Sequence, residues 1–322
     1  MATEHNFLFE AQQAPCRLDH FLADELPELS RSQIKKLIAD GHVQVDGRVT
    51  KAGEKLKGGE RLRVVEPAPQ AAAPVAEAIE LEVLYEDSHL IVINKPSGLV
   101  VHPAAGHFTG TLVNALLHHC TDLSGIGGEL RPGIVHRLDK ETSGVMVATK
   151  DDATHQDLSR QFKEHSITRR YLALVHGMVQ NNQGVIDRPI GRHPTDRKKM
   201  SSRSGRGRRA VTRWQVLKRF DRDRLTLLEL TLETGRTHQI RVHFADMNLA
   251  LVGDPVYGSA SRTNALRDLE LRRLVQCLGR QALHARLLGF VHPATGEYLE
   301  FETPPPADFQ AVLDHLDRLY AE

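Results

Sequence analysis

The 322-residue chain is poor in cysteine and aromatic residues, with three Cys, one Trp and 5% Phe, Tyr and Trp together. Cys16, Cys120 and Cys277 are odd in number and far apart, which excludes a disulfide framework and a four-Cys zinc site and fits a reducing cytoplasm. No apolar run approaches the roughly 18 residues that cross a bilayer. Met1-Ala2-Thr3-Glu4-His5 lacks the basic and apolar regions of a secretory signal. An excess of charge of either sign is also missing, the formal net charge being +1. That sum hides a local patch, because Arg192, Arg197, Lys198, Lys199, Arg203, Arg206, Arg208, Arg209 and Arg213 are interrupted only by Asp196.

Several chemistries lack their signatures. There is no G-x-x-x-x-G-K-[ST] phosphate loop, and Gly125-Ile126-Gly127-Gly128 has no third dinucleotide glycine. No G-x-S-x-G elbow is present. His238 and His243 are off the i, i+4 spacing of a zincin helix, and the neighbours in His118-His119-Cys120 diverge by about 100° if helical. Nothing in the pattern demands a metal or nucleotide cofactor.

What is present is a soluble composition, 40% hydrophobic and 26% charged, with length for two domains at roughly 150 residues each. Residues 16–66 read as a compact unit. Leu18, Phe21 and Leu22 suit one helix; Ser30 caps a second, carrying Ile34, Leu37 and Ile38, and Gly41 ends it. Val43-Gln44-Val45 runs into the hairpin turn Asp46-Gly47, and Arg61–Val65 alternates as a further strand. Residues 67–76, rich in Pro and Ala, read as a linker. A second core spans 77–322. Its strands are Leu81–Leu84, Leu90–Ile93, Tyr171–Val175, Val211–Leu217, Leu225–Leu232 and the hairpin Leu287–Val291/Tyr298–Phe301. Helical spacing falls at Leu112–Leu117, Leu158/Phe162, Ile240/Phe244/Met247 and Phe309–Leu316. Strand runs with interspersed helices argue an α+β fold with a mixed, largely antiparallel sheet and peripheral helices, beside a small α/β N-terminal unit.

One stretch organises the chain. Gly133–Gly144 reads as strand, loop, strand, with Asp139 near the middle of the loop. On these residues alone Asp139 reads more readily as a turn carboxylate neutralised by Arg137 or Lys140. However, His136-Arg137-Leu138-Asp139-Lys140-Glu141-Thr142-Ser143-Gly144 resembles the signature of the RluA-type pseudouridine synthases, whose catalytic residue is that Asp. Further blocks resemble the same family in the same order. They are Asn94–Pro103, Gly235-Arg236-Thr237-His238-Gln239-Ile240-Arg241-Val242-His243, Leu251-Val252-Gly253-Asp254-Pro255-Val256-Tyr257-Gly258 and Arg280-Gln281-Ala282-Leu283-His284-Ala285. Residues 16–66 resemble an S4 RNA-binding domain, with Ser30–Ile38 as its central helix.

The resemblance implies an isomerase that turns uridine into pseudouridine without metal or nucleotide cofactor. It implies Asp139 as the catalytic carboxylate, Arg241 as the cation that keeps it charged, and Tyr171 as the ring stacked on the uracil. Arg137 would fill the place of the flipped base, and Ile240 would line the apolar side. Lys95 reads either as a phosphate contact or as a structural cation. Arg31, Lys35 and Lys36, with Arg197, Lys198 and Lys199 of the basic tract, are the candidate RNA contacts. Within the family, the S4 unit, the length and His193-Pro194-Thr195-Asp196-Arg197 with Met200 resemble the RluD branch, although Ser201–Arg209 is more basic than expected there. Large-subunit ribosomal RNA or a pre-ribosomal particle is then the expected partner, with a monomeric enzyme in the cytoplasm.

Overall fold

The computed structural model describes the chain except residues 1–2, 13, 28, 30, 67–73, 104–108, 121–122, 124–132, 197–198 and 322, and the side chain of residue 32. The expected cap Ser30 and most of the expected linker therefore lie outside the described residues. The chain divides into two compact units, residues 1–72 and 73–322.

The first unit runs β1 (Thr3–Leu8), β2 (Cys16–Arg17), α1 (Leu18–Glu25), α2 (Arg31–Ala39), β3 (Val43–Val45), β4 (Arg48–Val49), β5 (Lys55–Leu56) and β6 (Arg61–Glu66). Its main sheet has the order β1-β6-β3-β4. Leu18, Leu22, Ile34 and Ile38 of the helices bury against Val43, Val45, Leu62 and Val64 of the strands. Asp46 and Gly47 both take positive φ (48° and 76°), the geometry of a tight hairpin turn. The strand β1 precedes residue 16 and is not evident in the sequence. Its burial alternates only weakly, because it lies at the sheet edge.

The second unit begins with β7 (Glu82–Glu86), β8 (Leu90–Lys95), α3 (Leu112–His119), β9 (Ser143–Thr149), α4 (Asp152–Glu164) and β10 (Thr168–His176). It continues through β11 (Gln183–Asp187), β12 (Gly191–Arg192), β13 (Met200–Ser201), β14 (Val211–Phe220), β15 (Leu225–Leu232) and α5 (Gln239–Asp246). It ends with α6 (Ala260–Asn264), α7 (Leu269–Leu278), β16 (Leu283–Val291), β17 (Tyr298–Glu302) and α8 (Ala307–Leu319). The main sheet has the order β11-β14-β15-β10-β16-β9-β8-β7, with β17 also on β16. Its pairings are antiparallel except that of β9 with β16. This is the expected mixed, largely antiparallel α+β architecture. One face of β10 (Tyr171, Ala173, Val175) packs into the larger core and the other (Leu172, Leu174) against α7 and α8.

The segment before Asp139 departs from expectation, because it is not a strand. Gly133, at φ 71°, turns the chain back onto β9, its carbonyl accepting from Thr149 N–H at 2.9 Å. Ile134 makes a single antiparallel bridge to Ala148. The ring of His136 then accepts from Val147 N–H at Nε2, 3.1 Å away, where a strand would offer a carbonyl. A side chain thus replaces the second rung of a ladder, and the loop is free to turn outwards. Helix α7 is likewise beyond the sequence reading, although Leu271, Val275 and Leu278 have the spacing of one buried face.

Gly144 sets the distance at which β9 meets β16. Its φ is 121°, and a Cβ there would overlap the backbone of Ala285 on the neighbouring parallel strand. Gly144→Ala is expected to destabilise the second unit by at least about 2 kcal/mol, combining backbone strain and strand separation. Denaturant unfolding checks this; a midpoint equal to wild type would show that the strands part without cost.

Candidate active site

The loop carrying Asp139 is fixed through its main chain. Lys95, at the end of β8, is fully buried, and its Nζ donates to the carbonyls of Pro96, Leu99 and Lys140 at 2.8, 2.9 and 3.1 Å. Burial pulls this ammonium down to about 7. With its donors spent on carbonyls, Lys95 is a structural cation rather than a phosphate contact. From another side, Arg280 donates to the Glu141 carbonyl at 3.3 Å while its Nε and Nη2 hold Asp308 at 2.8 and 2.7 Å. Gln281 Nε2 donates to Thr142 Oγ1 at 3.1 Å, and Ser143 Oγ lies 3.0 Å from His284 Nδ1.

Helix α5 supplies the facing cation. Buried Gln239, its first residue, donates to the Val211 carbonyl (2.9 Å) and Thr212 Oγ1 (3.0 Å) and accepts from Thr234 Oγ1 (2.7 Å) and Arg236 N–H (3.0 Å). The preceding turn is thereby pinned to β14. Two residues on, Arg241 Nη1 donates to Asp139 Oδ2 at 3.2 Å. Its Nε and Nη2 form a bidentate pair with Asp254 at 2.7 and 2.9 Å. Asp254 Oδ1 also accepts from the Val256 and Tyr257 N–H groups at 2.8 and 3.0 Å. Burial works against the charge of Arg241, yet its carboxylate partners outweigh it and its pKa is raised. Burial likewise works against ionised Asp254, but Arg241 and the two amides hold it below the ordinary aspartate value.

Asp139 and Arg241 open into a cavity of about 510 Å³, whose wall also includes Arg137, Tyr171 and Ile240. The five residues assigned to catalysis and base binding are therefore brought together. Asp139 keeps 17% of its side chain exposed. Ile240 is buried and joins the core. Tyr171 is 8% exposed, and its hydroxyl has no hydrogen-bond partner among the described residues. Burial pushes its pKa up, with Arg169 acting in the opposite sense. Arg137 is exposed at the rim. Among the described residues it pairs with neither Asp139 nor Glu141.

Residues with no role read from sequence complete the wall. His238 Nε2 lies 4.0 Å from Asp139 Oδ1, too far for a hydrogen bond. Burial lowers the pKa of His238 despite the nearby Asp139, and its Nδ1 meets the Tyr257 hydroxyl at 2.9 Å. That hydroxyl also accepts from Met200 N–H at 2.8 Å, tying the ribbon β12–β13 of the basic tract to the cavity wall. The Arg241 guanidinium lies over the Tyr257 ring at 5.1 Å. Arg169, 7% exposed, donates to the carbonyls of Leu232 and Glu233 at 3.0 and 3.1 Å. His238, Asp254 and Tyr257 stand inside the family-like blocks, but no spacing rule announces a contact across such turns.

The candidate RNA contacts lie elsewhere. Arg31, Lys35 and Lys36 are exposed on α2, Lys35 already near Asp19 at 3.7 Å. Lys199 is 3.9 Å from Asp196. Arg197 and Lys198 lie outside the described residues. Arg209 and Arg213 are paired with Asp187 and Glu233 at 3.0 and 2.6 Å, so the tract presents less free charge than its composition suggests. Among the described residues no cluster of His, Cys, Asp and Glu has the makings of a metal site, and no helix is long and apolar enough to cross a membrane.

Comparison with known proteins places this geometry. The family model for RNA pseudouridylate synthase matches residues 89–246, and that for the S4 domain matches 16–62. The Bacillus subtilis (strain 168) "Uncharacterized RNA pseudouridine synthase YlyB" is 47% identical over 305 residues, 95% of either chain. The "Ribosomal large subunit pseudouridine synthase D" of Zymomonas mobilis is 44% identical over 322 residues, covering 98% of each, and that of Pseudomonas aeruginosa 46% over 301 residues, covering 93% of this chain and 92% of the other. The structure of "Human RNA Pseudouridylate Synthase Domain Containing 1" superposes with a TM-score of 0.55 at 26% identity, over 76% of this chain and 96% of that one. The fold is that of an RNA-modifying isomerase. The chain belongs to the RNA pseudouridine synthase family and carries an S4 domain at its N-terminal side.

The Arg241–Asp254 pair yields a stability test. Asp254→Asn leaves Arg241 buried with one weaker partner, and a loss of about 3–5 kcal/mol is expected. Because the folded-state pKa of Asp254 is depressed, its contribution is present above about pH 4 and is lost as pH falls through the folded value. The stability difference between wild type and Asp254→Asn, followed from pH 7 to pH 3, should therefore hold steady down to about pH 4 and begin to narrow below it; a difference that does not narrow would count against this role.

Proposed function

We propose that this protein isomerises specific uridines of large-subunit ribosomal RNA to pseudouridine, with Asp139 as the catalytic carboxylate. The observation that carries the reading is the constellation in one cavity of Asp139, Arg241 held by Asp254, and the unbonded hydroxyl of Tyr171. The substrate is taken from the relatives named ribosomal large subunit pseudouridine synthase D.

The reaction breaks N1–C1′, turns the uracil within the site and joins C5 to C1′. One proton leaves C5 and one is gained at N1, so no oxidant or energy donor is needed. A carboxylate beside the ribose serves whether it attacks C1′ or removes the C2′ proton. Arg241 Nη1 holds Oδ2 of Asp139, which leaves Oδ1 directed towards the substrate. Enclosure by Tyr171, Ile240 and Leu232 keeps the detached base from escaping. A uridine in folded RNA must be unstacked to enter, and exposed Arg137 at the rim has a flat guanidinium suited to filling its former place. Arg31, Lys35 and Lys36 of the S4 domain and Arg197, Lys198 and Lys199 of the basic tract contact phosphates. The enzyme works in the cytoplasm as a monomer, on ribosomal RNA free or within a pre-ribosomal particle.

The direct test is to map pseudouridine in ribosomal RNA from cells with and without the protein, and from cells carrying Asp139→Asn. The amide is neither nucleophile nor base, so the sites lost in the deletion should stay lost while RNA binding persists. Turnover within about tenfold of wild type would overturn the assignment.

Tyr171 has two separable parts. Tyr171→Phe retains the stacking ring, so bond cleavage and base rotation should proceed and the loss of the C5 proton should stall. With 5-fluorouridine at the target there is no such proton, and wild type and Tyr171→Phe should rearrange that substrate at similar rates. A variant slowed equally on both substrates would place the hydroxyl before the C5 step.

A further inference from the structure

A second cavity, of about 440 Å³, lies at the other end of β10. His176 closes that strand and, by alternation, shares the face of Leu172 and Leu174 rather than that of Tyr171. Five residues at about 3.3 Å each put it some 17 Å along the strand from Tyr171. The cavity is thus on the opposite face and at the opposite end of the strand from Asp139.

Its wall carries Arg222, Arg224, Arg262 and Arg267 against the single acid Asp223. Among the described residues none of these arginines has an acidic partner. Asp223 instead accepts from the Tyr320 hydroxyl at 3.0 Å. Two of the four are positioned by neutral groups, Arg262 donating to the Asn248 carbonyl at 2.8 Å and Arg222 lying over the Tyr320 ring at 4.6 Å. The side chains of Arg224 and Arg267 have no hydrogen-bond partner among the described residues. His176 is only 5% exposed, yet its ring is likewise unpartnered there. Burial, with Arg262 nearby, pulls it down to about 4, so at neutral pH it offers one N–H beside four guanidinium groups that outnumber the one carboxylate. Arg222, Arg224 and Arg267 are exposed and Arg262 half-buried, so the cavity presents four guanidinium groups and one imidazole to solvent around a single acid, an excess of positive charge that an entering anion would meet.

We propose that this cavity binds a phosphate group, with Arg224 and Arg267 supplying exposed charge and Arg262 and His176 the fixed donors. Planar guanidinium forks match phosphate oxygens better than chloride. The volume exceeds what inorganic phosphate alone fills, so the group is carried either by the RNA backbone or by a free nucleotide. The site lies outside the pseudouridine chemistry and does not depend on it.

The test uses the full chain, inorganic phosphate as the probe, and chloride at matched ionic strength as the control. Phosphate should bind saturably and move the ring resonance of His176, assigned by its loss in His176→Gln. Calorimetry should show binding weakened at least about tenfold in the Arg224→Gln/Arg267→Gln double variant. AMP and a short RNA then identify the carrier. If it is RNA, the double variant flattens the slope of log affinity against log salt by about 0.7 for each phosphate no longer neutralised. If it is a nucleotide, AMP binds more tightly than inorganic phosphate and the RNA slope is unchanged. A His176 resonance that responds no differently to phosphate and chloride, or equal phosphate binding by wild type and double variant, overturns the proposal.

Discussion

The bidentate pair of Arg241 with Asp254 is the contact on which the site depends. A lone guanidinium beside Asp139 would satisfy Coulomb's law in many orientations. By committing Nε and Nη2 to Asp254, the protein leaves Nη1 a single direction in which to point. Asp254 is itself fixed by two backbone amides, so the orientation of the Arg241 guanidinium is traceable to main-chain geometry at residues 254–257. Burying such a group is expensive and gives little net stability, which fits a role in specifying geometry rather than in holding the fold together.

The same logic runs through the rest of the cavity. Gln239 satisfies four partners and so fixes where α5 starts. Tyr257 touches both the Arg241 face and the ribbon of the basic tract, so the segment richest in exposed cations is mechanically continuous with the wall facing Asp139. His136 stacks on Phe162 at 4.6 Å while accepting from Val147, so it joins α4 and β9 to the loop that precedes β9. Each link is a polar group with a defined partner, as a preorganised site requires.

Much of this is legible in the sequence. Period and turn chemistry locate most helices and strands, and the ordered blocks point to Asp139, Arg241, Tyr171, Arg137 and Ile240, which do share one cavity. What cannot be read are partnerships across space. Asp254 is thirteen residues beyond Arg241 and carries no periodic signal. The replacement of a strand rung by the His136 ring defeats any rule based on apolar alternation. Lys95 is ambiguous in sequence because a lysine after a strand looks the same whether it meets phosphate or carbonyls; only its complete burial decides. The basic tract misleads in the other sense, since several of its charges are spent on local acids.

The clamp on the Asp139 loop acts on carbonyls of residues 140 and 141 and on the Thr142 hydroxyl. It asks nothing of the side chains of Arg137 and Lys140, which are exposed on either side of the Asp139 carboxylate. Placement of the Asp139 carboxylate and the surface the loop shows to solvent are therefore written in different atoms of the same short loop. Such a division lets the outward residues be exchanged to suit a new RNA context while the carboxylate stays where it is. One scaffold can in this way be retargeted without rebuilding its chemistry.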